Sequence, residues 1–353
     1  MVLGCLKGYN PYTMQNGNIE LEIFLTNAAG SKTVRIIDRY KLTSGAIQEN
    51  WALDVEFSGG PLTGLQELCL RMDAPTRISN SRSRVEEFAL LKLAYGNGIR
   101  VPEPLFLCKD KKIIGRQFFI MRRIPGIADA RRITQIKRTI DQQDKLLSDL
   151  GTQLAAIHAL KPSGREMNFL KKPSIAPALH VINQYHAALD ALPQPAPVLE
   201  WGLRWAQLNL PREQIPTICH RDFRTGNLMI DGNKLVGILD WEFAGWSDPM
   251  EDVAWFCAKC WRFGLNNKEA GGMGSRTAFY NAYENASRRK IDHKAIIFWE
   301  IMAHIRWAII ARQQGERFAT SGENSLEPAM TAFIAPQLEW EVMRMTENWA
   351  NEN

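Results

Sequence analysis

The run His220-Arg221-Asp222-Phe223-Arg224-Thr225-Gly226-Asn227, with the apolar stretch that leads from it to Asp240-Trp241-Glu242, constrains this chain more than any other segment. Leu228-Met229-Ile230 and Leu235-Val236-Gly237-Ile238-Leu239 read as strands, and the turn sequence Asp231-Gly232-Asn233 between them predicts a β-hairpin. Asp222 precedes that hairpin, Asn227 follows Asp222 after four intervening residues, and Asp240 closes the second strand. Phosphoryl transfer from a nucleoside triphosphate uses a carboxylate to take the acceptor proton, then an amide and a second carboxylate to hold Mg²⁺, in this order. Asp222 is the candidate base; Asn227 and Asp240 are the candidate metal ligands.

The same residues carry a resemblance. His220 to Leu228, Ile238-Leu239-Asp240-Trp241-Glu242, Ser247-Asp248-Pro249 and Asp252-Val253-Ala254 resemble the H-G-D-x-x-x-x-N-h-h, I-D-W-E and G-D-P-x-x-D-h-A patterns of the aminoglycoside phosphotransferase and choline kinase-like family. Arg221 and Ser247 stand where glycine is usual, and neither change removes a catalytic atom. The resemblance spans about residues 40–310. It implies an α+β, bilobal protein-kinase-like fold, with an N-terminal antiparallel-sheet lobe over 1–124 and a mostly helical lobe over 125–353. It also implies an ATP- and Mg²⁺-dependent kinase acting on a hydroxyl of a small molecule. Members of the family phosphorylate aminoglycosides, macrolides, choline, homoserine and other hydroxylated metabolites.

Short apolar runs at Ile19–Leu25, Thr33–Ile37, Trp51–Val55 and Leu68–Met72 predict the sheet, although the first run also fits the start of a helix. The polar turn Leu42–Asn50 suits a phosphate-covering loop through Ser44 and Gly45, or a plain hairpin turn. Relative to the family's G-x-S-N loop, Ile47 and Gln48 occupy the Ser and Asn positions, so the usual hydroxyl is absent. Arg71 stands where kinases place the phosphate-binding lysine, and an arginine can hold phosphate oxygens bidentately. Its expected partner is Glu87, with Glu86 the neighbouring alternative. Phe118–Gly126 reads as a strand ending in Pro125-Gly126; the resemblance implies a hinge there, whose backbone near Met121 holds the adenine.

Beyond the hinge the periodicity turns helical. Leu146 to Leu160 is an amphipathic helix, with His158 read as a packed, hydrogen-bonded histidine. Gly271-Gly272-Met273-Gly274-Ser275 has no preceding strand and no following Lys-Ser/Thr, so it reads as a flexible connection between helices. Cys257 and Cys260 form a lone C-x-x-C and read as structural thiols. The basic run Arg131–Arg138 lacks interleaved aromatics and reads as a solvated helix, so no nucleic-acid partner is expected.

No run of about eighteen apolar residues occurs, and the first seven residues lack a signal-peptide core, so a cytoplasmic protein without a membrane span is expected. The net charge of +5 is uneven: residues 240–353 hold 12 basic against 16 acidic residues, the remainder 31 against 22. That asymmetry suits an anionic nucleotide held by the earlier part and a neutral or cationic acceptor held by the later part. Candidate acceptor groups are Trp246 and Asp248 beside the metal loop, and Glu300, His304 and Trp307 at i, i+4 and i+7 of one helix. The alternative is that this face packs in the core with Glu300 paired to an arginine.

The residues after Asp240 exclude a regulated protein kinase: Trp-Glu replaces Phe-Gly, there is no A-P-E signature, and only seven residues intervene before Asp248-Pro249. The other class in play is a nucleotide-binding pseudokinase or scaffold without turnover. The presence of Asp222, Asn227 and Asp240 together argues for the enzyme.

Overall fold

A computed structural model describes residues 11–42, 49–73, 81–212, 215–320 and 326–352. The chain divides into two compact units, one of residues 1–95 and 102–124, the other of residues 96–101 and 125–353. Ser44 and Gly45 lie outside the described residues.

The first unit opens with helix α1 (Pro11–Ala29), followed by strands β1 (Thr33–Lys41), β2 (Glu49–Ser58) and β3 (Gly64–Met72), helix α2 (Arg84–Gly96), and strands β4 (Pro104–Cys108) and β5 (Phe118–Arg122). The strands form one antiparallel sheet in the order β1-β2-β3-β5-β4. The run Ile19–Leu25 is therefore helical. Its apolar residues fall at every second position, which fits a strand, but Leu21 and Leu25 are buried one turn apart while Ile19 and Ile23 face solvent. Alternation along the strands sorts the two faces. Leu68, Leu70, Met72, Phe118 and Ile120 join Leu21 and Leu25 in one core, whereas Phe119 packs against Phe88 of α2 on the other side. Arg71, paired in register with Phe119, belongs to the α2 face.

The second unit is mostly helical: α3 (Ala130–Gln135), α4 (Ile140–His158), α5 (Pro177–Asp190) and α6 (Pro197–Leu208) precede strand β6 (Thr217–Cys219). Strands β7 (Leu228–Asp231) and β8 (Lys234–Ile238) form the predicted hairpin, closed by the two-residue turn Gly232-Asn233 with Gly232 at φ 57°. Strand β9 (Gly245–Ser247) pairs with β6. Helices α7 (Pro249–Cys257), α8 (Arg276–Ser287), α9 (His293–Thr320), α10 (Leu326–Ala332) and α11 (Ala335–Glu352) complete it. Helix α7 is buried at every position, and its two charged residues, Glu251 and Asp252, are buried with hydrogen-bond partners. Among the described residues no helix is long and apolar enough to cross a membrane.

Gly271–Gly274 is a correction to the sequence reading. It is a buried turn bridged between Ala270 and Gly274, not a flexible connection. Gly271 sits at φ 58°, and a Cβ there would stand 2.5 Å from Phe256 and from Thr225 Oγ1; only glycine meets both conditions.

Candidate active site

In the first unit, Arg71 Nε lies 3.0 Å from the carboxylate of Glu87, and both side chains are buried. Arg84, fully buried, also donates to Glu87 and reaches Asp73 at 2.9 Å. Glu86 is occupied with the backbone N–H and hydroxyl of Ser83, each at 2.9 Å, at the start of α2. Met121 sits inside β5, and the next two residues, Arg122 and Arg123, give their N–H groups to the carbonyls of Glu103 and Glu67.

In the second unit, β6 leads into the His220–Asn227 loop, whose shape is fixed by groups remote in sequence. Asp252 of α7 accepts hydrogen bonds from two successive loop amides, His220 N at 2.6 Å and Arg221 N at 2.7 Å. Its Oδ2 also accepts from His158 Nε2 at 3.1 Å, and Tyr283 Oη is 2.8 Å from His158 Nδ1. Burial works to raise the Asp252 carboxyl, but the hydrogen bond and charge of His158 and His220 hold it below the usual range. His158 is thus the packed histidine expected. Arg221 adopts φ 61°, a conformation that disfavours a Cβ and suits the glycine usual at this position. Asp252 on its amide, Glu251 on its Nε at 3.2 Å and Arg306 on its carbonyl hold it there. Thr225 Oγ1 donates to the Gly271 carbonyl at 2.7 Å, tying the far side of the loop to the buried turn.

Asp222 is buried and its carboxylate accepts from three side chains: Asn227 Nδ2 at 2.6 Å, Trp255 Nε1 at 3.0 Å, and Arg224 Nε at 3.2 and 3.3 Å. The structure brings Asp222 and Asn227 together as predicted from their spacing. With Nδ2 committed to Asp222, the amide oxygen is the atom Asn227 keeps for another partner. The backbone N–H of Leu239 donates to the Asn227 carbonyl at 2.8 Å, which fixes the end of the hairpin to its beginning. Asp240 comes next, half-buried at φ 65° and ψ 63°. An amide oxygen and carboxylates are hard oxygen donors, a set that fits Mg²⁺ and not a soft metal.

The predicted acceptor residues scatter. Asp248 is a helix cap: its oxygens accept from Met250 N at 2.9 Å and Trp299 Nε1 at 3.1 Å, and burial pushes its pKa up to about 6. Glu300 is buried against Arg276 at 2.6 Å and Arg262 at 4.0 Å, with burial raising its pKa to about 7 against the pull of both arginines. His304 hydrogen-bonds the Glu300 carbonyl within α9, and burial lowers its pKa. The placements of Glu300 and His304 correct the sequence reading in favour of its alternative, a core face with Glu300 paired to arginine, and Asp248 is engaged as a cap instead. Trp246 donates to the Leu170 carbonyl at 3.0 Å. Trp307 alone joins the Asp222 neighbourhood, through Trp261 at 5.0 Å and then Trp255 at 5.2 Å. Sequence reasoning gave Trp255 no role of its own and passed over Arg224 and Arg306; the one available signal was Arg224, a cation two residues beyond Asp222 within the same motif.

Residues 41–290 match the profile of the phosphotransferase enzyme family, APH. Acyl-CoA dehydrogenase family member 10 of Mus musculus is 29% identical over 198 residues, which is 54% of this chain and 18% of that protein. The chain thus spans less than a fifth of that relative's length. Among solved structures, a Ralstonia eutropha protein assigned as an aminoglycoside phosphotransferase superposes with a TM-score of 0.73 at 18% identity, over 94% of this chain and 98% of the other. A streptomycin–ATP ternary complex of an aminoglycoside phosphotransferase superposes with a TM-score of 0.56 at 15% identity, over 91% and 97%.

Proposed function

Because the chain belongs to the phosphotransferase enzyme family, we propose that it transfers the γ-phosphoryl group of ATP to a hydroxyl of a small molecule, with Asp222 as the base. The observation that carries this is the buried Asp222–Asn227 contact at 2.6 Å, with Asp240 at the end of the intervening hairpin. In the step, the bond from the γ-phosphorus to the ADP oxygen breaks and a bond to the acceptor oxygen forms. The acceptor's proton passes to Asp222. Asn227 and Trp255 orient the Asp222 carboxylate, so the protein contributes positioning and charge stabilisation more than covalent chemistry. Asn227 and Asp240 would hold Mg²⁺, which neutralises charge on the phosphates when bound. Arg71, held by Glu87, is assigned to the phosphate tail, and the strand at Met121 to the adenine. The ATP complex of the structural relative supports the choice of nucleotide.

Asp222→Asn is the test. It should leave MgATP affinity within a few-fold and lower turnover by about 10²–10⁴, the scale of a lost acid–base group. Acceptor screening would cover aminoglycosides, amino alcohols and hydroxylated acyl-CoA esters, the last because of the name of the mouse relative. An unimpaired Asp222→Asn enzyme with any accepted compound refutes the assignment. A chain that binds MgATP but turns over neither ATP nor any acceptor is instead a pseudokinase.

A further inference from the structure

By charge count, residues 240–353 should offer a cation a home. The structure commits several of that segment's acidic groups internally. Glu251 pairs with Arg221, Glu300 with Arg276, Glu339 with Arg312, and Glu341 with Lys259 and Arg344. Asp248 caps α7 and Asp252 holds the loop.

Beside the neutral Asn227 and Trp255, Asp222 touches one arginine, and a second lies on the far side of Trp255 from it in the chain of contacts. Arg224 Nε contacts both Asp222 oxygens, and its guanidinium lies 5.0 Å from the Trp261 ring centroid. Asp222 is its sole carboxylate partner among the described residues. Arg306 lies 4.4 Å from the Trp255 centroid and 5.5 Å from that of Phe243, donates to the Arg221 carbonyl, and has no carboxylate partner among the described residues. Trp255 joins the two, since it stacks under Arg306, touches Trp261 and donates to Asp222. Trp261, only 6% exposed, keeps its indole N–H buried without an acceptor among the described residues. Orphaned donors of this kind cost free energy until an acceptor arrives.

A hydroxyl that is to lose its proton must reach the Asp222 carboxylate, where Arg224 now sits. An ammonium group brought with that hydroxyl would meet two guanidinium groups; a carboxylate or phosphate would be drawn to them. Resting on the phosphotransferase reading, we infer that Arg224 and Arg306 form an anion subsite beside Asp222. The acceptor then carries a carboxylate or phosphate a few bonds from the hydroxyl it presents, and that anion draws Arg224 off the base. Planar guanidinium forks match either oxyanion bidentately, and aromatic backing pre-organises them.

Four three-carbon probes test this: glycerol, glycerate, glycerol 3-phosphate and 3-amino-1,2-propanediol present comparable hydroxyls beside a neutral group, a carboxylate, a phosphate or an ammonium. Calorimetry on the full chain, saturated with Mg²⁺ and a non-hydrolysable ATP analogue so that the nucleotide's own phosphate contacts are filled, gives each Kd. Glycerate or glycerol 3-phosphate should bind at least tenfold more tightly than glycerol and the amine, and the tighter of the two identifies the oxyanion. Arg224→Gln should abolish the preference and Arg224→Lys should recover part of it, with melting temperatures recorded for both variants. Equal binding of all four, no binding by any, preference for the amine, or an unchanged preference in Arg224→Gln overturns the subsite. If the analogue itself does not bind, the phosphotransferase reading fails, and that first titration reports it separately.

Discussion

Replacing Asp252 by asparagine removes one charge and nothing of the side chain's size, so it isolates the carboxylate's effect on the loop. In the native protein both oxygens are used: the His220 and Arg221 amides donate to them, and His158 adds a third bond. An asparagine keeps one acceptor and turns an NH₂ toward a backbone N–H, leaving a buried donor facing a donor. Each hydrogen bond to a buried charge is worth about 1.5–3 kcal/mol, and removing one partner of a buried charged pair costs about 3–5 kcal/mol. The left-handed Arg221 loses its amide anchor at the same time, and that conformation itself costs about 1–2 kcal/mol. A loss near 3–5 kcal/mol follows, and in a unit of about 235 residues it corresponds to a melting-temperature drop of roughly 6–20 °C. Calorimetric melting at pH 7 measures it. Because the Asp252 pKa is depressed in the fold, its stabilisation is present above the unfolded value and is lost as pH falls through the folded one. The gap between wild type and Asp252→Asn should therefore close on acidification. A variant melting within about 2 °C of wild type at pH 7, or a gap that widens in acid, refutes the anchoring role.

Other outcomes rest on the same geometry. Asp240→Ala should abolish most of the Mg²⁺ dependence of ATP binding; calorimetry showing equal ATP affinity with and without Mg²⁺ in the native protein counts against Asn227 and Asp240 as ligands. Gly271→Ala should destabilise by about 2–5 kcal/mol, from positive φ and from overpacking against Phe256 and Thr225, read as a lowered denaturant midpoint. For Asp248 the sign is opposite to that of Asp252. Its pKa rises from 3.8 to about 6 on burial, so its contribution is present below the unfolded value and lost as pH rises through about 6. Asp248→Asn should accordingly gain on wild type by up to about 3 kcal/mol between pH 3 and pH 7, measured by denaturant melts at each pH.

The hairpin and its flanking polar residues were legible because turn chemistry and strand alternation agree there, and because Asp222, Asn227 and Asp240 are spaced by that local geometry. The Arg71–Glu87 pair was legible from a strand and a helix whose periods are unambiguous. Ile19–Leu25 was not, since apolar residues at every second position also place Leu21 and Leu25 one helical turn apart. The acceptor face failed for another reason. Glu300, His304 and Trp307 do share a side of α9, but which side faces solvent depends on where Arg276 and Arg262 fall, 24 and 38 residues earlier in the chain. Arg224 was overlooked because a motif describes its fixed positions and treats those between them as filler. The glycine-rich turn misled because glycine permits both looseness and tight packing, and only the neighbours Phe256 and Thr225 distinguish them.

The anchors of the His220–Asn227 loop have an implication for synthesis. Of the groups that set its shape, His158 precedes it, but Asp252, Gly271 and Arg306 are translated afterwards. The loop and its hairpin leave the ribosome before the groups that hold Arg221 in its disfavoured backbone conformation exist. A chain stalled at the end of β9 would carry every residue assigned to proton and metal handling, yet lack the geometry that makes them a site. On the proposed reading, the loop geometry is complete only once α9, which carries Arg306, has been made.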